Sequence, residues 1–142
     1  MQSFSINPIG VIRSEIKNRK NAPLFYTDQG AANAFLELKP AYADGLHRMK
    51  AGDEIIVITW LHQAGREVLK VHPRGNRSNP LTGVFSTRSP DRPNPLGLHR
   101  VKVLEINDHR LHIGPIEAID GTPVIDIKPV VGEANDYEAN DY

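Results

Sequence analysis

Seven short apolar or alternating runs, each bounded by turn residues, most limit what this 142-residue chain can fold into. They are "INPIGVIR" (6 to 13), "FLELK" (35 to 39), "DEIIVITWLH" (53 to 62), "EVLKVH" (67 to 72), "GVFST" (83 to 87), "RVKVLEI" (100 to 106) and "RLHIG" (110 to 114). Such runs, punctuated by Gly, Pro, Asn and Asp, are strand signals, and many in succession predict a barrel or a sandwich. In "RVKVLEI", Val101 and Val103 take one face and Arg100 and Lys102 the other, as a half-buried antiparallel strand requires. "IIVITWL" has no polar alternate and reads as a central strand covered on both sides, with Trp60 in the core. Asn107-Asp108 predicts a hairpin turn. Asp120-Gly121, between "IEAI" and "TPVIDI", offers the positive φ angles of a two-residue hairpin and makes Val124 to Ile127 the return strand. The helical candidate is "PAYADGLHRMK" (40 to 50), opened by Pro40 and followed by Gly52.

A chain of this length holds one domain. Its 17 Lys and Arg balance 17 Asp and Glu, so net charge selects neither nucleic acid nor membrane as a partner. Cysteine is absent, which excludes disulfides, thiolate metal sites and a thiol nucleophile. The N-terminus lacks a basic leader followed by an apolar core, and "IIVITWL" is far short of the roughly 20 residues of a membrane helix, so the expectation is a cytoplasmic protein without a membrane partner. Residues 133 to 142 read "EANDY" twice, with four carboxylates and no Lys or Arg. They are expected to be an acidic, disordered tail beyond a folded domain at 1 to 132.

Charge is uneven along the chain. Lys70, Arg74, Arg77, Arg88, Arg92, Arg100 and Lys102 face a single acid, Asp91, within 33 residues. This segment suits either a polyanion or an ordinary solvated loop pair. Inside it, "TRSPDRPNPLG" carries Pro90, Pro93 and Pro95, which fix φ and push Ser89, Arg92 and Asn94 toward extended backbone. Arg92 and Asn94, two apart, then point the same way and can converge on one anionic or heteroaromatic target. The alternative is a stiff crossing in which Arg92 bonds backbone carbonyls. His62-Gln63 directly follows the central strand, a common place for ligand contacts and equally for a structural histidine. The six histidines show no i, i+4 pair and no completing acids, so no metal site is expected. No glycine-rich dinucleotide or phosphate loop and no nucleophile elbow occurs.

"PIGVIRS", "WLHQ", "GVFSTRSPDRPNPLGL" and "DGTPVIDIKP", in this order and spacing over residues 8 to 129, resemble the TsaA-like family, whose characterised members are TrmO-type tRNA methyltransferases. The resemblance implies a mainly all-β, compact closed β-barrel of short strands with at most one or two short helices, unlike Rossmann methyltransferases. It also implies a homodimer, with S-adenosylmethionine bound near the subunit interface. The implied reaction is N6-methylation of threonylcarbamoyladenosine beside the tRNA anticodon. Matched by motif, His62, Gln63, Arg88, the Leu98 backbone and the turn Asp120, Gly121, Thr122 and Pro123 are expected cofactor contacts. Arg92, Asn94, Asp126 and Lys128 are expected on the substrate or catalytic side, with Asp126 as proton acceptor, and Arg74 and Arg77 on the RNA. His99 stands where Ser or Thr is commoner and Val130 where an aromatic is usual. No C-terminal extension of the kind some bacterial members carry is expected, and RNA binding is then expected to rest on the barrel and its loops. Two other readings stay open: a non-catalytic barrel that binds the cofactor or RNA, and a methyltransferase acting on a small molecule.

Overall fold

A computed structural model describes residues 2–19 and 32–132, so the acidic tail expected at 133 to 142 lies outside the described residues. Its strands are β1 (Gly10–Arg13), β2 (Ala32–Leu38), β3 (Glu54–Trp60), β4 (Lys70–Val71), β5 (Thr82–Gly83), β6 (Leu96–Asn107), β7 (Arg110–Ile116) and β8 (Pro123–Pro129). Six of them close into an antiparallel barrel in the order β1-β2-β7-β6-β3-β8, and β4 and β5 form a separate two-stranded ribbon. Short 3-10 turns at Pro40–Leu46, Pro73–Gly75 and Val84–Ser86 interrupt this all-β plan. None of the helical segments described is long and apolar enough to cross a membrane.

Alternation does what the pattern predicts. Ile12, Leu36, Ile55, Val57, Val101, Val103, Leu111, Ile113 and Val124 fill the interior, while Arg100 and Lys102 face outward. β3 lies between β6 and β8, as a central strand should, but its outer face of Ile56, Ile58 and Trp60 is only half-buried. Trp60 therefore sits on the barrel wall rather than in the core, with the Arg66 guanidinium 5.1 Å above its ring.

Three further expectations need correction. The run 83 to 87 is not a strand past Gly83, because the Val84 and Thr87 carbonyls accept from Arg92 rather than from a ladder. Asp120-Gly121 does not close a hairpin: β7 ends at Ile116 and pairs with β2 and β6, while β8 pairs with β1 and β3. Only Gly121 of the pair takes positive φ, 86°, so the turn lacks the mirror-image twist that joins adjacent antiparallel strands. The β6–β7 hairpin turns on Asp108 and His109, one residue later than expected, since Asn107 already pairs with Arg110.

Candidate functional site

The end of β3, the start of β6, the end of β7 and the approach to β8 meet at one mouth of the barrel around a cavity of about 450 Å³, within the usual size of small-molecule sites. Hydrogen bonds fix this mouth. The Leu61 N–H donates to the Pro95 carbonyl (2.7 Å), tying the end of β3 to the start of β6, and the following turn, Ala64 N to Leu61 O at 2.9 Å, leaves His62 and Gln63 exposed at the rim.

The proline-rich loop is sewn down from two sides. Arg92 donates from Nε to Ser89 O (2.7 Å) and from Nη2 to Val84 O (2.8 Å) and Thr87 O (2.6 Å), so its guanidinium holds three carbonyls of its own loop. Asp91 accepts from Arg19 Nη1 and Nη2 (3.0 and 3.1 Å) and from the Gly65 N–H (2.8 Å). Burial pushes the Asp91 carboxyl up, but the Arg19 hydrogen bond, the Gly65 N–H and the Arg19 charge outweigh it and hold it below the usual carboxylate range.

His62, Gln63, Arg88, Arg92, Leu98 and Thr122 all line the cavity. Asp120, Gly121 and Pro123 stand behind Thr122 and do not line it. Asp120 accepts from the Ser14 N–H (3.0 Å) and pairs with Lys17 (3.3 Å), and the backbone N–H groups of Asp120 and Gly121 donate to Ile16 and Ile12. The turn thus braces β8 against β1. The Ser14 N–H is also the main reason that the Asp120 carboxyl lies below its ordinary range; burial opposes it, and Lys17 and Arg13 add to the lowering. Asn94 lies outside the lining, where its carbonyl oxygen accepts from Arg66 Nη2 (3.0 Å). Asp126 and Lys128 pair with each other at 3.5 Å farther along β8. Asp126 borders a second cavity at the opposite end of the barrel. Arg74 and Arg77 are exposed in the β4–β5 connection.

Other cavity residues, four of them aromatic or titratable, were not among the expected contacts. Phe85 lines the rim and is 82% exposed, an unusual state for an aromatic ring. Arg19 reaches the rim through Asp91, and at the floor His99 and Glu117 meet at 2.7 Å. Single residues stood out, Phe85 in the run "GVFST" and an acid within the apolar stretch "IEAI", but nothing local joined that acid to His99. Among the described residues no group of His, Asp and Glu could hold a metal ion.

The profile described as the tRNA-methyltransferase O N-terminal domain matches residues 11–136. The chain belongs to the tRNA-methyltransferase O N-terminal domain family. A probable S-adenosyl-L-methionine-binding protein of Pyrococcus horikoshii is 44% identical over 131 residues, covering 89% of this chain and 82% of its own. Another from Methanothermobacter thermautotrophicus is also 44% identical, with 87% of this chain and 88% of its own covered. The crystal structure of TrmO from Pseudomonas aeruginosa superposes with a TM-score of 0.75 at 30% identity, covering 99% of this chain. The chain spans 61% of the length of that solved protein.

Proposed function

We propose that the protein is an S-adenosylmethionine-dependent methyltransferase that works as a homodimer and places its methyl group on N6 of threonylcarbamoyladenosine beside the tRNA anticodon. The observation that carries this reading is the convergence of His62, Gln63, Arg88, Leu98 and Thr122, drawn from three separate motifs, on one cavity in a member of this family. The cavity's chemistry suits such a donor: arginines at the rim for a carboxylate, the apolar side chains of Leu61, Leu98, Ala118 and Ile119 for a nucleoside, and one carboxylate at the floor.

When bound, the donor supplies a methyl carbon on a positively charged sulfur, open to a nitrogen approaching in line. The protein's part is to position and to exclude water. Leu61, Leu98 and Ile119 shield one side, and Phe85 offers a stacking platform for an unpaired base, which an anticodon loop presents without disrupting a duplex. The exposed cations of the β4–β5 connection, Arg74 and Arg77, suit an RNA backbone. Asp126 is the proposed proton acceptor at the attacking nitrogen. Its place favours action across a subunit boundary: Asp126, Ile58 and Leu98 form one outward row over three neighbouring strands, and Leu98 is also a cavity residue.

The test is mass spectrometry of nucleosides from the tRNA of a strain lacking the gene, before and after incubation with purified protein and S-adenosylmethionine. The expected result is loss of the methylated nucleoside in the deletion and its return on incubation. Unchanged nucleosides from a protein that still binds the donor would leave the binding-barrel and small-molecule readings standing in its place.

A further inference from the structure

His99 and Glu117 at the floor of the cavity, with Thr59 buried behind them, form a polar row for which positioning and shielding of the donor give no reason. Polar side chains inside an aliphatic barrel are costly to desolvate and persist where they have partners. Thr59 and His99 are 0% and 3% exposed. Thr59 Oγ1 lies 2.7 Å from His99 Nε2, and His99 Nδ1 lies 2.7 Å from Glu117 Oε1. A carboxylate accepts, so Nδ1 is the donor of the second contact, and Nε2 pairs with the Thr59 hydroxyl. The row therefore runs from Thr59 through His99 and ends on the Glu117 carboxylate.

That carboxylate is underused. It has about four lone-pair sites and, among the described residues, one hydrogen bond, and its Oε2 is closed off from solvent and meets no partner among those residues. A buried acceptor without a donor lowers stability, and such a group calls for an explanation. Glu117 is also the one acid among the described lining residues, where Arg19, Arg88 and Arg92 supply positive charge. Room for the row is kept by Gly97, where a Cβ would meet both Thr59 Oγ1 and His99 Nε2.

We propose that the Glu117 carboxylate is the acceptor for an N–H or O–H of the bound methyl donor, and that His99, backed by Thr59, is the positioning residue that presents it. This deepens the donor-site reading above and rests on it. Two groups of such a ligand have the required chemistry: the ribose and base of the nucleoside, and the ammonium of the amino-acid part.

Isothermal titration of the intact protein with S-adenosylhomocysteine, which keeps every N–H and O–H of the donor, reads this contact without turnover. Glu117→Gln retains an oxygen for His99 Nδ1–H and turns the open oxygen into an amide donor. Its affinity should fall on the order of ten- to a hundredfold, while the ligand-free melting temperature stays level or rises. His99→Asn keeps a donor near the Nδ1 position and should bind nearly as wild type; His99→Leu, which has none, should bind as weakly as Glu117→Gln. Titration with 5′-methylthioadenosine, which lacks the amino-acid part, separates the two sources. An equal loss for both ligands places the donor on the nucleoside, and a loss with S-adenosylhomocysteine alone places it on the ammonium. Wild-type affinity in Glu117→Gln overturns the proposal, and so does a melting temperature that falls along with affinity, since Glu117 would then be structural. His99→Leu and His99→Asn binding alike removes the positioning role. A wild-type protein without affinity for S-adenosylhomocysteine defeats the donor-site reading itself, and this inference with it.

Discussion

A Cβ placed on Gly97 would stand 2.5 Å from Thr59 Oγ1, 2.8 Å from His99 Nε2 and 3.0 Å from Leu61 Cδ2. The leucine tip can yield, but the threonine and histidine are locked to each other at 2.7 Å inside the barrel. Gly97→Ala should therefore cost about 1–3 kcal/mol, as overpacking of a filled core does. Urea unfolding would register it as a lower midpoint at unchanged slope, and a midpoint equal to wild type would mean that the floor is loose. At this scale the sequence was only partly legible. Its prolines and arginines marked the 86 to 100 loop as stiff and charged, yet an extended backbone leaves open whether a guanidinium faces a ligand or its own carbonyls. Three nearby carbonyls decide where the Arg92 guanidinium points. The His99–Glu117 pair gave no local signal because its members are 18 positions apart and come together only when β6 and β7 turn back on each other.

Elements were easier to read where alternation was long. β3 and β7 fall where their runs predicted, whereas "EVLKVH" shrinks to Lys70–Val71 and β6 starts four residues early, at Leu96 directly after Pro95. Periodicity reports which face is buried, but not where a ladder loses its partner to a side chain. The proline loop is the clearest case, since side chains anchor it on both flanks: Arg92 from within and Asp91 through Arg19 and Gly65. The Asp91 anchor has a pH signature. Burial raises its carboxyl, Arg19 and the Gly65 N–H lower it further, and the folded value ends below that of an unfolded Asp, about 3.9. A group depressed in this way binds protons more readily unfolded, so its stabilisation is complete above about pH 4 and fades as pH falls through the folded value. Asp91→Asn should thus flatten the acid limb of the stability curve and lower its neutral plateau. Thermal melts from neutral to acid pH check this, and parallel curves for the two proteins would remove Asp91 as the anchor.

For the molecule as a whole, the strand pattern alone left a barrel and a sandwich equally open, because alternation separates inside from outside without ordering the strands. The family motifs led to the closed barrel. In that order β3 lies between β6 and β8, which gathers half-buried Ile56 and Ile58 with exposed Leu98 on one outer face, beside the cavity and in the same row as Asp126. Neighbouring strands lie about 4.8 Å apart, so Asp126 is about 10 Å from Leu98 across this surface, too far to serve its own protomer's cavity from the row as it stands. A two-fold pairing over this face presents the same patch from both copies and can carry each Asp126 toward the opposite cavity. Asp126→Asn and Arg88→Ala should each abolish methyl transfer as pure dimers. Mixed after unfolding and refolding together, half of the dimers are hybrids, and in each hybrid one site combines an intact cavity with an intact aspartate from the other chain. The mixture should then recover about a quarter of wild-type activity. If Asp126 acts on its own cavity, every site in the hybrid carries one defect and the mixture stays inactive. Ile58→Glu adds the control: placing a charge on the shared face should give a monomer by sedimentation and remove the recovery, while a wild type that sediments as a monomer would exclude action across the interface.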